Sequence, residues 1–157
     1  MDFSNKNVLI TGGSRGIGRA VAIAFAKEGA RVAIVFRSNQ KAAAATLELL
    51  QGTGHTALQA DLAIASEAER AVDEALAEFK RLDIVVNNAG YNWNSAAIKH
   101  TDEQWHAMLD VHATGPFRLL REAGHHFRQQ ASVVPPDRLR KVVNISSISG
   151  VYGAATQ

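Results

Sequence analysis

The stretch Thr11-Gly12-Gly13-Ser14-Arg15-Gly16-Ile17-Gly18 lies between an apolar run, Val8-Leu9-Ile10, and a helical pattern that opens at about Gly16. A strand that passes through such a loop directly into a helix restricts the fold more than any other feature of the chain. Glycine has no Cβ and takes positive φ, so Gly12, Gly16 and Gly18 suggest a backbone shaped to let something approach closely. The loop amides and the helix N-terminus point the same way and supply partial positive charge, which suits a phosphate. A tight strand-to-helix turn with no ligand fits the same residues.

Strands and helices alternate with a regular beat on either side of this loop. Asn7 to Ile10 is too continuously apolar for a half-exposed strand and reads as one buried on both faces, as in a parallel sheet. Ile17, Val21, Ala24 and Phe25 fall at helical spacing, and Gly29 stands where a C-terminal cap belongs. A strand from Arg31 to Phe36, an alanine-rich helix from Gln40 to Gln51 and a strand from Thr56 to Gln59 come next. Ser66 and Glu69 have capping-box spacing before a helix whose apolar face is Ala68, Val72, Ala75, Leu76 and Phe79. The strand Leu82 to Val86 then runs into Asn87-Asn88-Ala89-Gly90. This alternation predicts an α/β fold with a doubly wound parallel sheet.

A looser segment leads to Thr101 and Gln104, which cap a longer helix carrying Trp105, Met108, Leu109 and His112 on one face. Pro116 has no N–H for the His112 carbonyl, so a kink and an unpaired carbonyl are expected there. The helix fades near Gln129, Ala131 to Asp137 reads as an exposed loop, and Lys141 to Ile145 as a fifth strand. Val151 to Gln157 form no completed element.

The 157 residues suffice for one domain, and no run of about 18 apolar residues is present to span a membrane. Met1 to Lys6 lacks the basic-then-apolar pattern of a signal peptide, and the chain has no cysteine, which together predict a cytoplasmic protein. A net charge of +2 with scattered basic residues gives nucleic-acid binding little support. His125 and His126 point apart on a helix, so no metal site is expected.

In an open parallel sheet, ligands sit off the carboxyl ends of the strands. The polar clusters all fall at such ends: the glycine loop, Arg37-Ser38-Asn39, Asp61, Asn87 to Gly90, and Ser146-Ser147. The coincidence of position points to a nucleotide site.

Thr11-Gly12-x-x-x-Gly16-x-Gly18, Asp61-Leu62, Asn87-Asn88-Ala89-Gly90 and Asn144-Ile145-Ser146-Ser147-x-x-Gly150, in that order, resemble the short-chain dehydrogenase/reductase family. The pattern is most similar to its 3-oxoacyl-acyl-carrier-protein reductase-like members, and it covers the chain from about Lys6 onward. The resemblance implies a Rossmann-type fold that binds a nicotinamide dinucleotide. The pyrophosphate would lie over Gly12 to Gly18, with Ser14, Gly16 and Ile17 among its neighbours. The adenine would lie near Asp61 and Leu62, and the adenosine ribose beside Asn88, Ala89 and Gly90. The asparagine pair also serves as a hydrogen-bonded strand-end turn.

NAD-selective sites place a carboxylate at the end of the second strand, where it would repel a 2′-phosphate. Here that place holds Phe36 and Arg37, and Arg15 can converge on the same phosphate with a guanidinium fork. NADP(H) is therefore the expected cofactor, with a pair of solvated surface arginines as the alternative.

For catalysis the resemblance assigns Ser147 the hydrogen bond to a substrate carbonyl or hydroxyl. The family's proton-exchanging tyrosine and its lysine would come later, in a Tyr-x-x-x-Lys motif whose spacing from Ser147 runs past Gln157. Tyr152 has the wrong offset and no lysine after it. His112 stands where the family's catalytic set usually has asparagine. It either preserves a relay through its main-chain carbonyl or is a packed core histidine. The long Gln129 to Arg140 connection reads as a surface loop of no catalytic meaning.

The expectation is thus a single dinucleotide-binding domain over residues 1–157, its sheet truncated after the fifth strand. It would belong to an NADP-dependent carbonyl reductase or alcohol dehydrogenase acting on a small-molecule carbonyl or alcohol. The chain as given would bind cofactor without turnover. A nucleotide-binding or regulatory module is the alternative. The resemblance also implies a homo-oligomer meeting through the helix from about Asp102 to Phe127.

Overall fold

Val8, Leu9 and Ile10 are all fully buried, because β1 (Asn7–Thr11) is the central strand of a sheet covered on both faces. In a computed structural model of the chain, residues 2–131 and 140–153 are described. Around β1 stand β2 (Arg31–Phe36), β3 (Thr56–Gln59), β4 (Ile84–Asn87) and β5 (Lys141–Asn144), all parallel, in the order β3-β2-β1-β4-β5. Between β1 and β4 the winding reverses, which opens a crevice at the carboxyl ends of those strands. The expected Rossmann-type doubly wound α/β sheet is the architecture found.

Successive side chains of each strand go to opposite layers. Leu9, Ala33, Val35 and Val85 pack against α3 (Ala65–Phe79) and α5 (Gly115–Ala131). Val8, Ile10, Val32, Ile34, Ile84 and Val86 pack toward α1 (Gly16–Lys27) and α2 (Gln40–Leu47). Each fully buried valine, leucine or isoleucine contributes about 1.5–3 kcal/mol, so these central strands hold the crevice rigid.

Several local expectations are corrected. The buried line of α1 is Gly18, Ala22 and Ala26, with Val21 and Phe25 partly buried against the same core, whereas Ile17 is 64% exposed. Close helix–sheet approach selects the small side chains, and Ile17 turns toward the crevice instead. The helix α2 ends at Leu47, not Gln51, and β4 begins at Ile84 rather than Leu82. The Ser66–Glu69 capping box does not form, since α3 starts at Ala65 with no side-chain cap. The carboxylate at the start of α3 is used differently: Glu67 Oε2 accepts from the Asp61 N–H at 2.7 Å. Val151 and Tyr152 belong to a short helix, α6 (Ser149–Tyr152), and residues 154–157 lie outside the described residues.

The long helix is interrupted where Pro116 predicts a kink. α4 (Asp102–Leu109) opens on the Thr101–Gln104 capping box, then Asp110–Thr114 forms a π turn before α5. The Gly115 N–H bonds the Asp110 carbonyl, so the bond pattern widens by one residue ahead of the proline. Trp105, with 59% of its surface exposed, and Leu109 face solvent rather than core. Of the expected loop after α5, residues 132–139 lie outside the described residues.

Arg140 is not the surface residue expected. It reaches the amino end of the sheet, where its Nη1 donates to Asp83 Oδ1 at 2.9 Å. Arg81 Nε and the Asn7 N–H both donate to Asp83 Oδ2 at 3.0 Å, so the buried carboxylate joins β1 to the segments entering β4 and β5. Removing one partner of such a buried pair costs about 3–5 kcal/mol.

His126 lies beside this cluster with a buried Nε2. Burial lowers its pKa below the ordinary 6.5 and the Arg140 charge lowers it further, while Asp83 offsets part of the effect. The unfolded chain therefore protonates first as pH falls. This contribution to stability is full above pH 6.5, declines below it, and levels off once the folded histidine titrates too. Urea unfolding at about pH 7.5 and about pH 5.5 should show a loss at the lower pH that shrinks in His126→Gln. An equal loss in both proteins would contradict this assignment.

Candidate functional site

The carboxyl end of β1 turns into α1 through glycines kept either by backbone conformation or by close approach. Gly16 has φ +54°, a left-handed conformation that L side chains rarely adopt. A Cβ on Gly18 would lie 2.3 Å from the Gly12 carbonyl oxygen and 2.5 Å from Asn88 Nδ2. Arg15, extended, is the N-cap of α1, and no side chain caps the first turn. The uncapped amides of that turn are a ready anion site.

The loop is fixed from two sides. On the β4 side, Thr11 Oγ1 accepts from the N–H groups of Asn88 and Ala89, each at 2.9 Å. Asn88 Nδ2 in turn donates to the Thr11 carbonyl at 2.8 Å. On the α2 side, Arg19 Nη2 donates to the Ser14 carbonyl at 2.7 Å and its Nε to Thr46 Oγ1 at 2.9 Å. Thr46, fully buried, donates from Oγ1 toward the Ser14 and Ala42 carbonyls at 3.1 and 3.0 Å. Sequence reasoning missed Arg19 and Thr46. The one available signal was a lone hydroxyl in an alanine-rich helix.

Over this loop lies a cleft of about 760 Å³. Gly12, Ser14, Arg15, Gly16, Ile17, Gly18, Arg37, Asp61, Leu62, Asn88, Ala89 and Gly90 all line it. Glu103, His106 and Asp110 of the α4 side line it as well, and the sequence reading did not single them out. Asp61 is a turn-former here, its Oδ1 accepting from the Ala63 N–H at 3.0 Å.

Positive charge in the cleft is left available. Arg19, Arg31, Arg70, Arg81, Arg118, Arg121 and Arg140 all make hydrogen bonds. Among the described residues, the guanidiniums of Arg15 and Arg37 make none, and Arg37 instead sits 5.6 Å above the Tyr91 ring. The uncapped helix start, the glycine cradle and two uncommitted guanidiniums fit the phosphates of a dinucleotide.

Ser147 and His112 are not among the residues that line the cleft, although His112 backs its Gly90–Tyr91 edge, and among the described residues no hydrogen bond joins the two. Ser147 Oγ accepts from the Ser149 N–H at 3.1 Å, which leaves its own O–H to donate. His112 is exposed, so the packed-core alternative does not hold. Its Nε2 bonds the Tyr91 carbonyl at 2.9 Å, and its ring covers Gly90, where a Cβ would come within 2.6 Å of Cε1. Tyr91 belongs to the cleft, whereas Trp93, Asn94 and Ser95 line a separate hollow of about 640 Å³ with Trp105 and Met108.

The family model for the short chain dehydrogenase matches residues 6–157. The chain belongs to the short-chain dehydrogenase family. Among members of that oxidoreductase family, the 3-oxoacyl-[acyl-carrier-protein] reductase FabG of Staphylococcus aureus (strain Mu50) is 31% identical over 150 residues. That alignment takes in 94% of this chain and 58% of the relative, so the chain spans little more than half the length of the short-chain dehydrogenases it matches. A 3-ketoacyl-(acyl-carrier-protein) reductase from Brucella melitensis, solved with NADH, superposes with a TM-score of 0.88 at 28% identity, over 98% of this chain and 62% of that one. A blue fluorescent protein from a metagenomic library, solved with NADPH, gives 0.83 at 26% identity, over 99% and 61%.

Gly18→Ala should lower the melting temperature more than Gly16→Ala. The first drives a Cβ into the Gly12 carbonyl, whereas the second meets only open space and a left-handed backbone costing about 1–2 kcal/mol. Thermal unfolding of the two variants checks this, and the reverse ranking would contradict the packing described.

Proposed function

We propose that this chain carries the NADP(H)-binding domain, residues 1–157, of a short-chain carbonyl reductase or alcohol dehydrogenase. The observation that carries the reading is the pair of uncommitted guanidiniums, Arg15 and Arg37, in a cleft whose second strand ends without a carboxylate. Gly12 to Gly18 hold the pyrophosphate, and Arg15 and Arg37 take the 2′-phosphate. Asp61 and Leu62 flank the adenine, and Asn88 to Gly90 the adenosine ribose. When bound, the dinucleotide supplies or accepts the hydride. Ser147 donates its O–H to the substrate carbonyl or hydroxyl, and the main-chain carbonyl of His112, lacking an N–H from Pro116, holds a proton-relay water.

The substrate is a small-molecule carbonyl or alcohol, with a 3-oxoacyl thioester as the class suggested by the reductase relatives. The Tyr-x-x-x-Lys spacing from Ser147 runs past Gln157, so the part proposed for these 157 residues is dinucleotide binding. Cytoplasmic location and a homo-oligomer meeting through the α4–α5 face complete the proposal. The exposed Trp105, Leu109 and Phe117 support that face.

Titration calorimetry with NADPH and NADH tests the cofactor. NADPH should bind at least about tenfold more tightly, the scale of one charge-assisted contact, and Arg37→Ala should remove most of that preference. NADH binding as tight as NADPH would overturn the reading.

A further inference from the structure

Arg37 and Tyr91 extend from the carboxyl ends of β2 and β4, on either side of β1, so their contact crosses the mouth of the glycine loop. We propose that Tyr91 sets cofactor specificity: its ring holds the Arg37 guanidinium by the face and leaves the planar edge free to fork onto a 2′-phosphate. This rests on the reading of the cleft as an NADP(H) site.

A salt bridge or hydrogen bond would fix an arginine by consuming the N–H donors a phosphate needs. A ring face restrains the cation through its quadrupole and takes no donor. Arg37 is held in the second way, with its guanidinium making no hydrogen bond among the described residues. Its backbone is fixed independently, the Arg37 carbonyl accepting from Gln59 Nε2 at 3.1 Å.

Tyr91 can act as a support because its own main chain is anchored. His112 Nε2 bonds the Tyr91 carbonyl at 2.9 Å, and the preceding Gly90 leaves room for that imidazole to lie close. The ring therefore stands on a braced backbone, and a long side chain that would otherwise sample many rotamers is narrowed to those over the cleft. Less freedom is then lost when the phosphate binds. Tyr91 is a positioning residue in this scheme: it acts through Arg37, and its effect belongs only to ligands bearing a 2′-phosphate.

The test measures dissociation constants of the full chain for NADPH, NADH and adenosine 2′,5′-bisphosphate by calorimetry, in the wild type, Tyr91→Phe and Tyr91→Leu. Leucine keeps apolar bulk without a π face; phenylalanine keeps the face without the hydroxyl. The expected result is that Tyr91→Leu weakens NADPH and the bisphosphate by about two- to five-fold while NADH is unchanged, and that Tyr91→Phe behaves as the wild type. Equal weakening of NADH, tighter NADPH binding in Tyr91→Leu, or a loss in Tyr91→Phe equal to that in leucine would overturn it. A wild type that prefers NADPH beside a leucine variant that prefers it undiminished defeats this inference alone. A wild type that prefers NADH defeats the reading of the cleft as well.

Discussion

The Thr11 hydroxyl, accepting two backbone N–H bonds from Asn88 and Ala89, joins the carboxyl ends of β1 and β4. Everything in the cleft depends on that junction. It brings Asn88 Nδ2 onto the Thr11 carbonyl and so close to α1 that residue 18 can carry no side chain. The small residues Ala22 and Ala26 continue that close approach down the helix. A parallel sheet supplies no hairpin to hold neighbouring strand ends together, and here side chains perform that task.

The opposite end of the sheet is closed by charge. Asp83, its side chain 1% exposed, meets Arg81 and Arg140 and the backbone of Asn7. The two ends divide the work. At the amino end Arg81 and Arg140 are paired with the buried Asp83, and the carboxyl end keeps Arg15 and Arg37 uncommitted. That contrast within one sheet gives the cleft its electrostatic character, since a guanidinium already paired has little to offer an incoming phosphate.

Local pattern was enough for much of the fold. The strands Arg31 to Phe36 and Thr56 to Gln59 are short segments, each shortly after a glycine, and the structure keeps those bounds. The Thr101 cap and the disruption near Pro116 were legible because each is set by neighbouring residues, although the π form of the disruption was not. Spacing of apolar residues placed Val21 and Phe25 of α1 against the core but missed the small buried residues Gly18, Ala22 and Ala26, where closeness of backbones decides which side chains fit. The Ser66 cap fails because α3 already begins at Ala65, and the Glu67 carboxylate accepts from the Asp61 N–H. The candidate site was legible as far as the residues at strand ends. Its supports were not, because Arg19 with Thr46 and Arg140 with Asp83 lie 27 and 57 residues apart and nothing local announces either pair. Tyr91 directly follows the asparagine turn in the sequence, and only the sheet order brings it across from Arg37.

The most direct measurement is a crystal structure of this chain grown with NADPH. The pyrophosphate should lie against the Gly16–Gly18 turn, with the 2′-phosphate between the Arg15 and Arg37 guanidiniums and the Thr11–Asn88 junction unchanged. A dinucleotide bound outside this cleft, or one inside it whose 2′-phosphate touches neither arginine, would contradict the central claim.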